Sequence, residues 1–146
     1  MSITMRETGR LVKRASLQLS RDLDQFAKPF DLTGTQMSIL DFIFQAEKES
    51  YLQKDIEQEF HIQRSTATGI LQGMEKKGLI SRQISAQDAR QRSVHLTSKG
   101  SQIALRCQDF FKEQEEAFSQ NFSEDERRIF QKILNQMIKK EIKNVK

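Results

Sequence analysis

The apolar residues of this chain change their period once. From Val12 to Met74 they recur at steps of three and four, which marks one face of a helix, and they do so again from Ile103 to Val145. Only between Gly78 and Thr97 does the step fall to two. There Ile80, Arg82 and Ile84, then Val94 and Leu96, alternate with polar residues. Such a chain is a set of helices interrupted by one short hairpin. Composition agrees: one proline, six glycines and no tryptophan in 146 residues leave few places for a helix to break. The expected fold class is mainly α, with six helices and a short β-hairpin.

The first helix carries Val12, Ala15, Leu19, Leu23 and Phe26 on one face. Pro29 is expected to end it, because the residue before a proline avoids the helical region. Thr33 as N-cap with Gln36 three residues later is a capping box, and Leu32 can staple onto Met37. Met37, Leu40, Ile43 and Phe44 then form the buried stripe of a second helix. A third runs from about Gln53 to Phe60, with Ile56 and Phe60 inward and Asp55, Glu57 and Glu59 outward. After a tight turn at His61-Ile62, a fourth runs from about Arg64 to Lys77. Its inward face is Ala67, Ile70, Leu71 and Met74, and Gly78 stops it. Thr97 can cap a fifth helix with Ile103, Cys107, Phe110, Phe111 and Phe118 inward. Ser123 with Glu126 is a second capping box. It opens a last helix bearing Ile129, Phe130, Ile133, Leu134, Met137, Ile138, Ile142 and Val145.

Charge is unevenly placed along these elements. Residues 61–100 hold seven Lys/Arg against two Asp/Glu, a local net charge of +5 in a chain whose total is +4. Residues 33–60 hold two against six. A concentrated basic stretch is the footprint of a phosphate-backbone binder. A single cysteine, Cys107, rules out an internal disulfide framework and fits a reduced, cytoplasmic setting. No apolar run approaches the roughly 18 residues a membrane span needs, so no membrane partner is expected.

The outer face of the fourth helix has an unusual chemistry. It presents Arg64, Ser65, Thr66, Thr68, Gly69 and Gln72, where a helix needing only solubility would show Glu and Lys. Short hydroxyls and a glutamine let a helix seat deeply in a major groove and bond base edges. Gly69 and Gly73 each cost about 1 kcal/mol relative to alanine in a helix interior. On the outer face Gly69 can supply close approach to DNA; packing room for neighbouring helices is the other reading of both glycines. The hairpin loop, residues 85–92, carries Arg90 and Arg92, which would point the same way on a strand edge. An arginine on a thin loop can enter a minor groove, where the potential is most negative. Asp88 would repel phosphate, so its expected work is to hold the loop or aim an arginine through a charge-assisted bond.

Helix, turn, helix and hairpin in this order form a winged helix-turn-helix. The run Ser65-Thr66-Ala67-Thr68-Gly69-Ile70-Leu71, then Met74-Glu75-Lys76-Lys77-Gly78-Leu79-Ile80-Ser81-Arg82, resembles the MarR (multiple antibiotic resistance regulator) family. So do Asp88-Ala89-Arg90-Gln91-Arg92 and Leu96-Thr97-Ser98-Lys99-Gly100, at this spacing after a helix-turn-helix. The resemblance covers essentially the whole chain. It implies a homodimeric transcription regulator, often a repressor that a small molecule or an oxidant releases from double-stranded DNA at a pseudo-palindromic operator. On that pattern Arg64, Ser65, Thr66, Thr68 and Gln72 lie on the recognition helix, Arg90 enters the minor groove, and Asp88 orders the wing. Residues 33–100 would be the DNA-binding lobe, and residues 1–32 and 101–146 the dimerisation region. Gly69 and Gly73 stand where many members carry arginine, so base preference does not carry over. Gln63 stands where a good cap is common, which leaves the helix start to Ser65 or Thr66.

Other chemistries have little support. No Ser-His-Asp or Cys-His arrangement and no Gly-rich phosphate loop is present, so no enzyme and no cofactor is expected. His61 and His95 are the two histidines, too few for a His-rich metal site. Oxidant-sensing members of the family place a cysteine in the first helix. Residues 1–30 have none, and Cys107 reads as a buried structural thiol. A small organic effector between the dimer helices and the DNA-binding lobe remains, with Phe26, Phe42, Phe44, Phe110 and Phe111 as candidate lining. A winged helix that binds protein is the alternative function; it would expose apolar anchors on the fourth helix and the hairpin.

Overall fold

The computed structural model describes residues 2–45 and 51–139. Ile142 and Val145, which the spacing assigns to the last helix, lie outside the described residues. Among these, six α-helices and three strands follow in the order α1 (Met5–Ala27), α2 (Gly34–Phe44), β1 (Tyr51–Leu52), α3 (Gln53–Phe60), α4 (Arg64–Lys76), β2 (Ile80–Ile84), β3 (Arg92–Leu96), α5 (Ser98–Asn121) and α6 (Glu124–Lys139). Two compact units divide inside α5, between Gln108 and Asp109.

In the first unit α1 starts on a cap, the Thr4 hydroxyl accepting the Glu7 N–H at 3.2 Å. Its end corrects the expectation for Pro29. Lys28 stays right-handed helical (φ −56°, ψ −46°), and Lys28–Phe30 forms one 3-10 turn with Pro29 near its start, where a missing N–H is tolerated. The chain reverses instead at Asp31, whose φ is 58°. The capping box of α2 is present: Thr33 Oγ1 accepts the Gln36 N–H and Gln36 Oε1 accepts the Thr33 N–H, both at 3.1 Å. Asp24 of α1 accepts the next donor, the Gly34 N–H, at 2.7 Å. A Cβ at position 34 would lie 2.5 Å from that carboxylate oxygen, so glycine lets α1 and α2 meet there.

Met37, Ile39, Leu40, Ile56, Leu71, Met74, Leu79, Val94 and Cys107 are fully buried and form the core of this unit. Phe44, expected in the buried stripe of α2, is only half-buried, and Ile39 is in the core. Phe42 packs against Tyr51 at 4.8 Å between centroids and edge-on against Phe60 at 5.8 Å, joining α2, β1 and α3. The sheet has three strands in the order β1-β3-β2, all antiparallel, rather than two. Two residue pairs, Tyr51↔Val94 and Leu52↔Ser93, make the extra pairing, and a two-residue strand is too short to leave a period in the sequence.

Among the described residues the outer half of the α1 stripe is exposed. Leu23 and Phe26 are half-buried, whereas Ala15 and Leu19 are exposed, as are Leu11 and Leu17. The second unit has the same character. Its capping box is formed: Ser123 Oγ accepts the Glu126 N–H at 3.1 Å and Glu126 Oε1 accepts the Ser123 N–H at 3.0 Å. Those bonds hold the Glu126 carboxyl below the usual range. No residue of α6 is buried, and Ile129, Phe130 and Ile133 are exposed. Phe118, expected inward on α5, is exposed too and lies 5.0 Å from Phe122.

Cys107 is enclosed, as its place on the apolar stripe implied. Burial first, and then the negative charge of Asp41, push its thiol up to about 12. An Ellman-type thiol reagent at pH 8 should leave Cys107 unmodified in native buffer and label it once urea unfolds the chain. Rapid labelling of the native protein would contradict this placement.

Candidate nucleic-acid interface

The fourth and third helices meet at a tight turn. His61 takes the left-handed conformation (φ 51°), and the Ile62 N–H bonds the Glu57 carbonyl at 3.1 Å. This closes α3 and releases the chain into α4 within three residues. Gln53, a buried polar residue on α3, donates from Nε2 to Thr68 Oγ1 at 2.9 Å and fixes the two helices against each other. Ala67, Leu71 and Met74 are buried as their spacing requires.

On the opposite side of α4, Arg64, Ser65, Thr66, Gly69 and Gln72 are exposed, and Thr68 is half-buried through its bond to Gln53. A Cβ on Gly69 would meet no atom within 4 Å, so packing against a neighbour does not explain this glycine. At Gly73 the nearest atom would be Gln36 Nε2 at 3.7 Å, an ordinary contact. No side chain caps α4: Gln63 holds the N-cap position with an extended backbone, and neither it nor Ser65 or Thr66 makes the capping bond.

The wing runs back along α4. Its register pairs Ile80↔Leu96, Arg82↔Val94 and Ile84↔Arg92. Arg92 opens β3, but Arg90 sits in the preceding turn, so strand alternation does not relate the two arginines. Asp88 lies at the centre of the loop. Its Oδ1 accepts the Arg90 N–H at 3.0 Å and Arg90 Nε at 3.4 Å. Ser85 Oγ accepts the N–H groups of Gln87 and Asp88 from the other side. The Arg90 side chain is 89% exposed. Arg64 reaches from the start of α4 to the Arg90 carbonyl, Nη2 to O at 3.3 Å. The structure therefore brings Arg64, Asp88 and Arg90 together and sets Ser65, Thr66, Gly69 and Gln72 on the open face of α4.

Sequence reasoning missed the pair of Glu75 with Arg82. Glu75 Oε2 accepts the Arg82 N–H at 3.2 Å, and Oε1 accepts Arg82 Nη2 at 3.4 Å. The available signal was a charged residue two positions from Ile80, on the same strand face as that apolar side chain. His95 Nε2 lies 3.1 Å from Ser93 Oγ, and no group of three or more His, Cys, Asp or Glu among the described residues could hold a metal ion.

The geometry has clear parallels. A model of the MarR family matches residues 30–91. The transcription regulator MarR of Oenococcus oeni PSU-1 is 39% identical, with 98% of that chain and 90% of this one covered and a TM-score of 0.79. This chain belongs to the MarR family. The structure of a MepR–DNA complex from Staphylococcus aureus is 25% identical, covers 95% of this chain and 99% of its own, and has a TM-score of 0.80. A curated relative, the HTH-type transcriptional repressor YetL of Bacillus subtilis (strain 168), is 23% identical over 128 residues, 86% of this chain and 75% of that protein. As a MarR-family winged-helix protein the chain is a transcription regulator and not an enzyme.

In this MarR-family chain the signature Leu96-Thr97-Ser98-Lys99-Gly100 has a structural account. The turn that ends α4 leaves three successive carbonyls without helical partners. Lys99 Nζ donates to the Lys77 carbonyl at 3.0 Å, Thr97 Oγ1 to the Gly78 carbonyl at 2.6 Å, and the Thr97 N–H to the Leu79 carbonyl at 3.0 Å. Thr97 Oγ1 also accepts the Gly100 N–H at 3.1 Å, capping α5. A Cβ on Gly100 would lie 2.1 Å from the Leu79 oxygen, a backbone atom that cannot step aside.

The two glycines should respond oppositely to a methyl group. In urea unfolding, Gly69→Ala should stabilise the protein by about 1 kcal/mol through helix propensity alone. Gly100→Ala should destabilise it by about 2 kcal/mol through overpacking. A destabilised Gly69→Ala would show that the outer face of α4 is packed after all.

Proposed function

We propose that this MarR-family regulator is a sequence-specific double-stranded-DNA-binding repressor that acts in the cytoplasm as a homodimer. The observation that carries the reading is the pairing of an open, small-polar face on α4 with a wing arginine held beside it. Residues 64–77 would enter the major groove, with Ser65, Thr66, Thr68 and Gln72 toward the bases, Arg64 bonded to the wing at the start of the helix and Gly69 permitting close approach. Residues 85–92 would reach the flanking minor groove, with Arg90 and Arg92 as cations and Asp88 ordering the loop. The likeness to the MepR–DNA complex and to the repressor YetL supports the same reading.

Residues 33–100 would be the DNA-binding lobe, and 1–32 with 101–146 the dimerisation region. The uncovered apolar side chains of α1 and α6 favour a second copy as their cover. A dimer would place two recognition helices in successive major grooves, roughly 10 bp apart on a pseudo-palindrome. Only one spacing of the lobes fits both grooves, so a small organic effector that shifts the spacing would release the DNA. The protein-binding alternative needs apolar anchors on this face. Among the described residues the wing exposes Ile84 (65%), and one isoleucine makes no patch. No helix among the described residues is long and apolar enough to cross a membrane.

The test is an anisotropy titration across operator variants. Arg90→Ala should weaken binding about tenfold on every sequence, whereas Gln72→Ala should change the order of preference among sequences. Unchanged affinity of Arg90→Ala would contradict the wing assignment. In sedimentation, the protein at micromolar concentration should run as a dimer; a stable monomer would contradict the dimer.

A further inference from the structure

The recognition helix and the wing are joined at two places well apart along α4. Near its start, Arg64 donates to the carbonyl of Arg90 at the wing tip. Near its end, Glu75 accepts both the backbone N–H and the guanidinium of Arg82 at the wing base. Residues 64 and 75 lie eleven positions apart, about 16 Å along a helix axis. Pairing with β1 and the bonds of Thr97 hold the hairpin at its base, which leaves its outer part, from Ile84 to Arg92, to be set against α4. Two ties at that separation fix both its distance from α4 and its angle.

The base tie is a poor device for stability alone. Arg82 lies on the same strand face as the buried Ile80 and is paired with the buried Val94 across the ladder. Its side chain is 8% exposed, and its Nε is buried with no hydrogen-bond partner. Burying a guanidinium incompletely bonded costs free energy that a well-packed apolar residue there would not. Glu75 is 43% exposed, so solvent further weakens the attraction. What the pair supplies and an apolar side chain could not is direction, because a carboxylate with two bonds to one strand residue sets where that strand leaves the helix.

We propose that Arg82 and Arg64 are positioning residues that hold Arg90 at a fixed reach from α4, so that helix and wing meet DNA as one rigid head. Arg64, which its sequence position assigns to the DNA, acts through the wing. The proposal rests on the DNA-binding reading above.

The experiment is a set of double-mutant cycles, read by anisotropy on a duplex enriched by the wild-type protein from a random-sequence pool. Glu75→Gln removes the charge from a half-exposed site and should leave folding intact, which circular dichroism checks. With the wing intact, Glu75→Gln and Arg64→Ala should each weaken binding about fivefold, and in the Arg90→Ala background less than about twofold, because the residue they position is gone. A merely structural role predicts the same loss in both backgrounds. Equal losses, or no loss with the wing intact, overturn the inference and leave the DNA reading standing. A wild-type protein that enriches no duplex overturns the DNA reading and this inference together.

Discussion

Three consecutive carbonyls just past the end of α4, those of Lys77, Gly78 and Leu79, tie the elements of the first unit together. A helix end leaves such groups without partners, and here all three are bonded by a single segment, Thr97 to Lys99. That segment is also the start of α5, so the stop of one helix and the start of another are the same set of bonds. Lys77 adds a bond from its ammonium to the Asp31 carbonyl, at the reversal between α1 and α2. The orientation of α4 is thus referred to α1, α2 and α5 through backbone groups rather than through apolar contact alone. Gly100 is the steric condition for this arrangement, since any Cβ there would enter the Leu79 carbonyl.

The acidic residues of the basic stretch fit the same scheme. Residues 61–100 contain two, Glu75 and Asp88, which look misplaced in a stretch otherwise rich in Lys and Arg. Each is bonded to an arginine of the wing, Glu75 to Arg82 and Asp88 to Arg90. Their charges are locally balanced, and their effect is to orient the hairpin relative to the helix it flanks. The exposed Asp88–Arg90 pair adds little stability, and burying the Arg82 guanidinium costs desolvation that offsets its pairing with Glu75. Their contribution is geometric.

Much of the fold was legible because its signals are local. The capping boxes at Thr33 and Ser123 and the buried stripe of α4 depend on residues three or four apart. The period change at Gly78 marked the hairpin. What the sequence did not display depends on distant partners. Strand β1 exists only because Tyr51 and Leu52 meet β3, and the 3-10 turn at Lys28–Phe30 replaces the extended residue that Pro29 led one to expect. The α1 stripe has helical spacing, yet Leu19 is exposed, since periodicity tells that a face is apolar but not which molecule covers it. At the candidate interface, the open face of α4 was legible as composition. The bonds from Gln53 to Thr68, Arg64 to the Arg90 carbonyl and Glu75 to Arg82 were not, because each joins residues on different elements.

The central claim is that the open face of α4 and the wing read a DNA sequence. It is tested most directly by fluorescence anisotropy of the purified protein on its own upstream intergenic DNA and on scrambled DNA of equal composition. At about 0.15 M salt, exposed charges more than about 8 Å apart are largely screened, so the basic stretch alone gives little discrimination. The account predicts tighter binding to the upstream DNA by roughly 10³ or more. Equal weak binding to both, with no duplex enriched from a random-sequence pool either, would contradict it.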